Sequence, residues 1–263
     1  MNSEHSSGAG AGAADAAPLV IAFCDSAYLP LLQLWVGQVL ALGVRALRIF
    51  GLDAATVDWC GSAGVDAEPM EWNGDLRTLW IQRMRVFSRL AAQGVDFIHS
   101  DIDAIWLRNP ITPGGVREDG AQLLFSQGTV WPPDVHERWG FVLCCGWFRA
   151  RPSVQTREFF QALEADVERT GDDQVSVNRL LLARGLRWET PQGQAYRLPF
   201  RNQQVHCWTG LRRGQLGGLG VGLLPHREFQ RLPEEFAQAA VKHYLTPKNC
   251  PQKLQVLRTL GLI

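Results

Sequence analysis

Lysine is nearly missing from this chain of 263 residues. Of 26 basic residues only Lys242, Lys248 and Lys253 are lysines, and all three fall within twelve residues near the C-terminus. An arginine bias explains a small number, but not that clustering. Net charge is lacking as well: 26 Lys+Arg balance 26 Asp+Glu, for a pI near 7.0. With no positive surplus to neutralise phosphates, nucleic acid is excluded as the expected partner.

Long apolar runs are absent too. None reaches the ~18 residues that a spanning helix needs, and the nearest candidate, residues 29–44, is interrupted by Pro30, Gln33 and Gln38. The Gly/Ala/Ser-rich N-terminus carries Glu4 and Asp15 and has no basic segment ahead of an apolar one, so no secretory signal is expected. The six cysteines form no CxxC pair, and adjacent Cys144 and Cys145 are badly spaced for an ordinary disulfide. That pattern predicts reduced thiols in a cytoplasmic protein. Disorder is excluded in turn by 46% hydrophobic residues and ten tryptophans.

What is present reads as alternating strands and helices. Residues 1–17 are a low-complexity tail, and residues 18–263 show no internal repeat and no linker that would divide them. The continuous apolar run Leu19 to Cys24 suits a strand covered on both faces. A helix over 29–42 and a strand over 46–50 complete a βαβ opening. A helix over 77–93, stopped at Gly94, leads into a strand over 95–100 that runs directly into Asp101-Ile102-Asp103. Strands over 121–126 and 140–149, helices over 153–169 and 172–182, irregular Pro/Gly-rich sequence, a strand over 221–224 and a helix over 252–260 complete the reading. This is an α/β fold with a mixed, mostly parallel sheet.

The aspartate pair carries the chemistry. Two carboxylates at the carboxyl end of a buried strand sit where open α/β sheets bind ligands. Hard divalent cations take such oxygens together with substrate phosphates. Alone, D-x-D is a short motif that a turn cap would also explain; here an apolar strand precedes it and Trp106-Leu107-Arg108-Asn109-Pro110 follows.

From Ser100 to Pro110 the chain resembles glycosyltransferase family 77, nucleotide-diphospho-sugar transferases that include plant cell-wall xylosyl- and arabinosyltransferases. Four further blocks match in order. Arg83 stands where the family usually has Lys, and Cys144-Cys145-Gly146-Trp147-Phe148-Arg149 where it has an Asn-Thr-Gly-aromatic strand. Asp173-Gln174 with Asn178 matches D-Q-x-x-x-N, and Val241-Lys242-His243, Lys253 and 257–262 match the closing block.

The resemblance implies a GT-A fold and a retaining transfer of a sugar from a nucleotide diphosphate, with UDP the expected nucleotide. The acceptor is a hydroxyl on a glycan, a protein or a small molecule, and oligomeric state is left open. It implies Asp101, Asp103 and His243 as ligands of Mn²⁺ (or Mg²⁺), and Asp173 and Gln174 as the catalytic pair facing the donor sugar. Arg83, Ser100, Cys145, Gly146, Asp172, Lys248 and Lys253 are implied as substrate contacts, Lys253 and Lys248 beside the diphosphate. Bland roles stand beside these: Asp172 as a helix N-cap, Arg83 as an exposed helical arginine, the lysines as a solvated helix end. Trp131 and Trp208 are candidates to line an acceptor groove, with a buried structural role favoured for each.

Retention leaves two routes. A double displacement needs a carboxylate at the anomeric carbon, for which Asp173 is the candidate; in the front-face route, which we expect, the leaving phosphate deprotonates the incoming hydroxyl. Two competing readings make different demands. A haloacid dehalogenase-like phosphatase needs a lysine between its first and its late acidic motif, and none lies between Asp103 and Asp172. A GT-A scaffold without turnover is suggested by the Cys144-Cys145 and Arg83 departures and by Ile263 in place of Trp.

Overall fold

The computed structural model describes residues 17–111, 120–234 and 238–263; the expected tail over 1–17 lies outside them but for its last residue. The apolar opening run forms β1 (Leu19–Cys24), followed by α1 (Leu29–Ala41) and β2 (Leu47–Gly51). A second βα unit follows that the apolar pattern does not announce: α2 (Ala54–Ser62), capped by Asp53, and the edge strand β3 (Asp66–Pro69). Then come α3 (Leu76–Ala92), capped by Asp75, β4 (Phe97–Ser100) and the two-residue β5 (Ile105–Trp106). In each cap a carboxylate accepts a backbone N–H left unpaired by the first helical turn.

The second half carries β6 (Leu123–Gln127), α4 (Pro133–Trp139), β7 (Leu143–Ala150), α5 (Val154–Thr170) and α6 (Asp173–Ala183). Gly171, at φ 69°, ends α5 in the left-handed conformation and hands the chain directly to Asp172, the N-cap of α6. The stretch expected to be irregular is instead strand-rich, with β8 (Arg187–Trp188), β9 (Ala195–Phe200), β10 (Gln203–Trp208) and β11 (Arg212–Leu216). β9 alternates exposed and half-buried residues, so it lacks the apolar run that marks a covered strand. β12 (Leu219–Leu223), β13 (Phe229–Gln230), β14 (Val241–Lys242) and α7 (Cys250–Thr259) end the chain.

Nine strands form one sheet in the order β3-β2-β1-β4-β7-β6-β12-β11-β8. Only β7 and β11 oppose the others, since β4–β7, β6–β7, β12–β11 and β11–β8 pair antiparallel and the other four pairings are parallel. The fold is therefore the expected α/β architecture, a mixed and mostly parallel sheet flanked by helices. α1 and α7 cover one face with Trp35 and Leu257, packed with Trp106 of β5, while α3, α5 and α6 cover the other with Phe87, Phe160 and Leu181. Each such side chain contributes ~1.5–3 kcal/mol by leaving water. Among the described residues no helix is long and apolar enough to cross a membrane.

Two irregularities set up the site. The β6–β7 register shifts between Phe125 and Ser126, which pair with Phe148 and Cys144, so β7 bulges around Gly146 at its entry to the cleft. Apart from the large sheet, β14 joins β5 antiparallel, Val241 against Trp106 and Lys242 against Ile105, with β13 on its other side.

Candidate functional site

That two-rung ladder delivers His243 to the aspartates. β5 begins two residues after Asp103, and β14 ends one residue before His243, so antiparallel pairing sets the imidazole against the D-x-D turn. The turn is held by Asp101 N–H donating to Gly146 O (2.7 Å) and Ala104 N–H donating to Asp101 O (2.9 Å). His243 Nε2 lies 3.7 Å from Asp101 Oδ2 and 3.3 Å from Asp103 Oδ1. Lys253, in the first turns of α7, pairs its ammonium with Asp103 Oδ2, and Thr246 donates to the same oxygen at 3.1 Å.

The charges settle one another. Burial alone would neutralise Asp103, but His243 and Lys253 overcome it and hold the carboxyl well below its ordinary range. For His243 burial and Arg231 oppose the charge, yet Asp103 and Cys144 prevail and push it up to about 9. Cys144 Sγ lies 3.7 Å from His243 Nδ1, on the ring edge away from the carboxylates. Gly146 makes this crowding possible: a Cβ there would stand 2.1 Å from His243 Cε1 and 2.7 Å from Asp101 Oδ2. Gly146 also lines the cleft, where the resemblance implies close approach to a sugar.

Opposite lies a second polar group. Arg83 is buried, which overturns the exposed-helix reading; its guanidinium lies 3.4 Å from Asp101 Oδ1 and 3.3 Å from Asp173 Oδ2. It rests on Trp80 at 4.8 Å and Phe23 at 5.5 Å. An arginine fork spans two carboxylates where the point charge of a lysine serves one. Burial pushes Asp173 up to about 6 against the pull of Arg83, with Asp172 and Asp101 adding to the rise. Asp172 caps α6 through Val175 N–H at 2.8 Å, and its side of the helix still lines the cleft. Asn178 docks α6 on β7 by bonding both the N–H and the C=O of Leu143, at 2.8 and 2.9 Å.

Ser100 is a correction. It is fully buried, accepts a hydrogen bond from Trp106 Nε1 at 3.1 Å and lies beneath the turn, so it positions the motif and does not face the cleft. Cys145 packs in the core; burial and Asp173 push its thiol well above the ordinary range, and its carbonyl pairs with the neutral His99 at 2.9 Å. The six cysteines are all free, the state their spacing predicted, and all are buried.

A cleft of about 550 Å³ joins the two polar groups. Asp101, Asp103, His243, Lys253 and the exposed Lys248 line one part; Arg83, Asp172, Asp173 and Gln174 line another. One lining residue escapes sequence reasoning, and a second departs from its favoured reading. Arg231 follows β13 and donates to His243 O at 2.7 Å; as one arginine among many it carries no signal, and only the β13–β14 pairing puts it here. Trp131, for which the sequence favours burial over a groove-lining role, is 53% exposed in the cleft wall, and its carbonyl accepts from Gln174 Nε2 at 2.7 Å. Trp208 is buried, as expected.

Two carboxylates and an imidazole, with ligand atoms all within 4.8 Å of one another, fit a divalent cation. The oxygen-rich set suits Mn²⁺ or Mg²⁺, and the missing Cβ of Gly146 leaves its cradle open. An α/β sheet with such a set at a strand end, and cations beside it, is an arrangement suited to a phosphorylated ligand. The model of the nucleotide-diphospho-sugar transferase family matches residues 49–256, and the chain belongs to that family. No curated protein matches the sequence. Among solved structures the chain is similar to the glycosyltransferase GlyE of Streptococcus pneumoniae TIGR4, at 13% identity and a TM-score of 0.44, over 63% of this chain and 43% of that one. The chain thus spans less than half the length of GlyE. It is also similar to CMP:2-keto-3-deoxy-manno-octonic acid synthetase complexed with CTP (10%, TM-score 0.47, 94% of this chain and 98% of that one). A third likeness is to mannosyl-3-phosphoglycerate synthase of Rubrobacter xylanophilus (11%, TM-score 0.38, 81% and 89%).

Proposed function

We propose that the protein is a metal-dependent, retaining glycosyltransferase that moves a sugar from a nucleotide diphosphate, with UDP the expected nucleotide, to a hydroxyl acceptor. The carrying observation is one cleft that holds the Asp101-Asp103-His243 set beside Lys253 and Arg231, and Asp173 and Gln174 across from it. A Mn²⁺ or Mg²⁺ held by that set would supply Lewis-acid stabilisation of the diphosphate.

The chain's own groups do the rest. Lys253, Lys248 and Arg231 provide fixed positive charge for the diphosphate as the sugar–phosphate bond breaks. Asp173 and Gln174 line the cleft and would take donor-sugar hydroxyls, with the Arg83 guanidinium, 3.3 Å from Asp173 Oδ2, fixing the carboxylate's direction. In the front-face route the acceptor oxygen bonds to the anomeric carbon as the sugar–phosphate bond opens, and its proton passes to the departing diphosphate. The replacement of Asn-Thr by Cys144-Cys145 removes hydroxyl-reading groups from the wall and points to a donor specificity of its own. Six free thiols fit a reducing, cytoplasmic setting.

The test is thermal melting with UDP plus Mn²⁺ against UDP plus EDTA, followed by a panel of nucleotide sugars scored for released nucleoside diphosphate. The reading predicts a Mn²⁺-dependent shift that Asp101→Ala with Asp103→Ala removes, and turnover with one donor. A shift that survives the double substitution refutes the site. Binding without turnover of any donor establishes the scaffold reading in its place.

A further inference from the structure

Trp131 stands apart from the other nine tryptophans. Trp35, Trp106, Trp147 and Trp208 are buried and the remaining five are half-buried, whereas Trp131 is 53% exposed. It stands in the wall of the cleft between β6 and α4, where the Gln174 amide ties its carbonyl to the first turn of α6. A wide apolar ring is thereby fixed next to the segment that carries Asp172, Asp173 and Gln174. Leu76, 45% exposed, and Leu245, 50% exposed, extend the apolar lining of the same cleft.

An indole held open in a polar cleft gains free energy when covered by a partner that is apolar on one face and polar at its edges. A pyranose ring has that form: one face is a sheet of C–H bonds, and its rim is hydroxyls that suit carboxylate and amide partners. A peptide serine or threonine offers the hydroxyl without the face.

We propose that Trp131 is the platform of an acceptor subsite and that the acceptor is a carbohydrate, a glycan or glycoside whose ring stacks on the indole. The proposal rests on the transferase reading for its name, since a second sugar beside the donor site is an acceptor. Binding itself does not depend on turnover, and the test uses that.

Saturation-transfer NMR on the full chain reads binding of methyl α-glucoside, methyl β-galactoside, lactose and a serine/threonine peptide. At least one glycoside should bind with saturation concentrated on its ring C–H protons. Trp131→Ala should weaken it about tenfold, the equivalent of one aromatic contact, and Trp131→Phe should retain most of the affinity. Both variants should keep the UDP–Mn²⁺ melting shift, which shows the fold intact. Three results overturn the platform: no glycoside bound while that shift is present, glycoside binding indifferent to Trp131→Ala, or binding of the peptide alone. Trp131-dependent glycoside binding without any UDP–Mn²⁺ shift refutes the transferase reading and leaves a sugar-binding cleft.

Discussion

Replacing Gly146 by alanine adds one methyl group at the most crowded point of the cation set. That carbon would lie 2.1 Å from His243 Cε1, 2.6 Å from Nδ1 and 2.7 Å from Asp101 Oδ2, against the ~3.5–4.0 Å at which carbon atoms pack. The His243 ring must retreat by more than an ångström. It is confined by the β14 ladder behind it and by Cys144 at its side, so the variant loses ligand geometry while the sheet persists, at a stability cost of ~1–3 kcal/mol. Misplacing a ligand should weaken cation affinity by about 100-fold, the upper range seen when a ligand loses its support. At Mn²⁺ one hundred times the wild-type Kd, linkage gives ~2.7 kcal/mol of stabilisation, which falls to ~0.4 kcal/mol in the variant. For a chain of this size that is a melting shift of roughly 5–11 °C reduced to ~1–2 °C. Differential scanning fluorimetry with and without Mn²⁺ measures it. Equal shifts in Gly146→Ala and wild type would show that the three side chains do not share an ion.

Two other consequences are open to measurement. His243 is raised to about 9 from an ordinary 6.5, so the stability it contributes is full below ~6.5 and is lost as pH rises through about 9. Cation binding runs the other way. Near pH 7 the ion must displace that proton, and affinity should climb about tenfold per pH unit before levelling above pH 9. Calorimetry in two buffers of different ionisation enthalpy should find one proton released per Mn²⁺ at pH 7, and none released refutes the assignment. Asn178→Leu strips partners from both the N–H and the C=O of the buried Leu143. At about 1–3 kcal/mol for each unsatisfied group, denaturant unfolding should show a loss of ~2–6 kcal/mol; a loss under 1 kcal/mol would mean that α6 is docked by packing alone.

The legible parts of the sequence were those in which local chemistry and tertiary role coincide. β1 and β4 are covered on both faces, so they read as apolar runs, and Asp101-Ile102-Asp103 stands out against such a strand. The lysine cluster led to α7, where Lys253 pairs with Asp103. What escaped depends on contacts between distant segments. α4 starts at Pro133, in the first-turn position that proline favours, but Trp131-Pro132-Pro133 reads locally as loop. β9 and β10 pair mainly with each other, and their half-exposed faces carry no core signature. Arg83 read as a substrate-contacting cation or an exposed helical arginine, and its burial could not be foreseen because the two carboxylates that meet its guanidinium lie eighteen and ninety residues ahead. Arg231 and the exposed face of Trp131 are visible only after β13 meets β14 and Gln174 meets the β6–α4 loop.

The hold of Lys253 on Asp103 also fixes where positive charge stays. A divalent cation held by Asp101, Asp103 and His243 would compete with the ammonium for the Asp103 carboxylate. Because the lysine belongs to α7, it would remain in the cleft wall whether or not the carboxylate is shared. The lysine that neutralises the aspartate before an ion binds is thus a fixed charge at the edge of the loaded site.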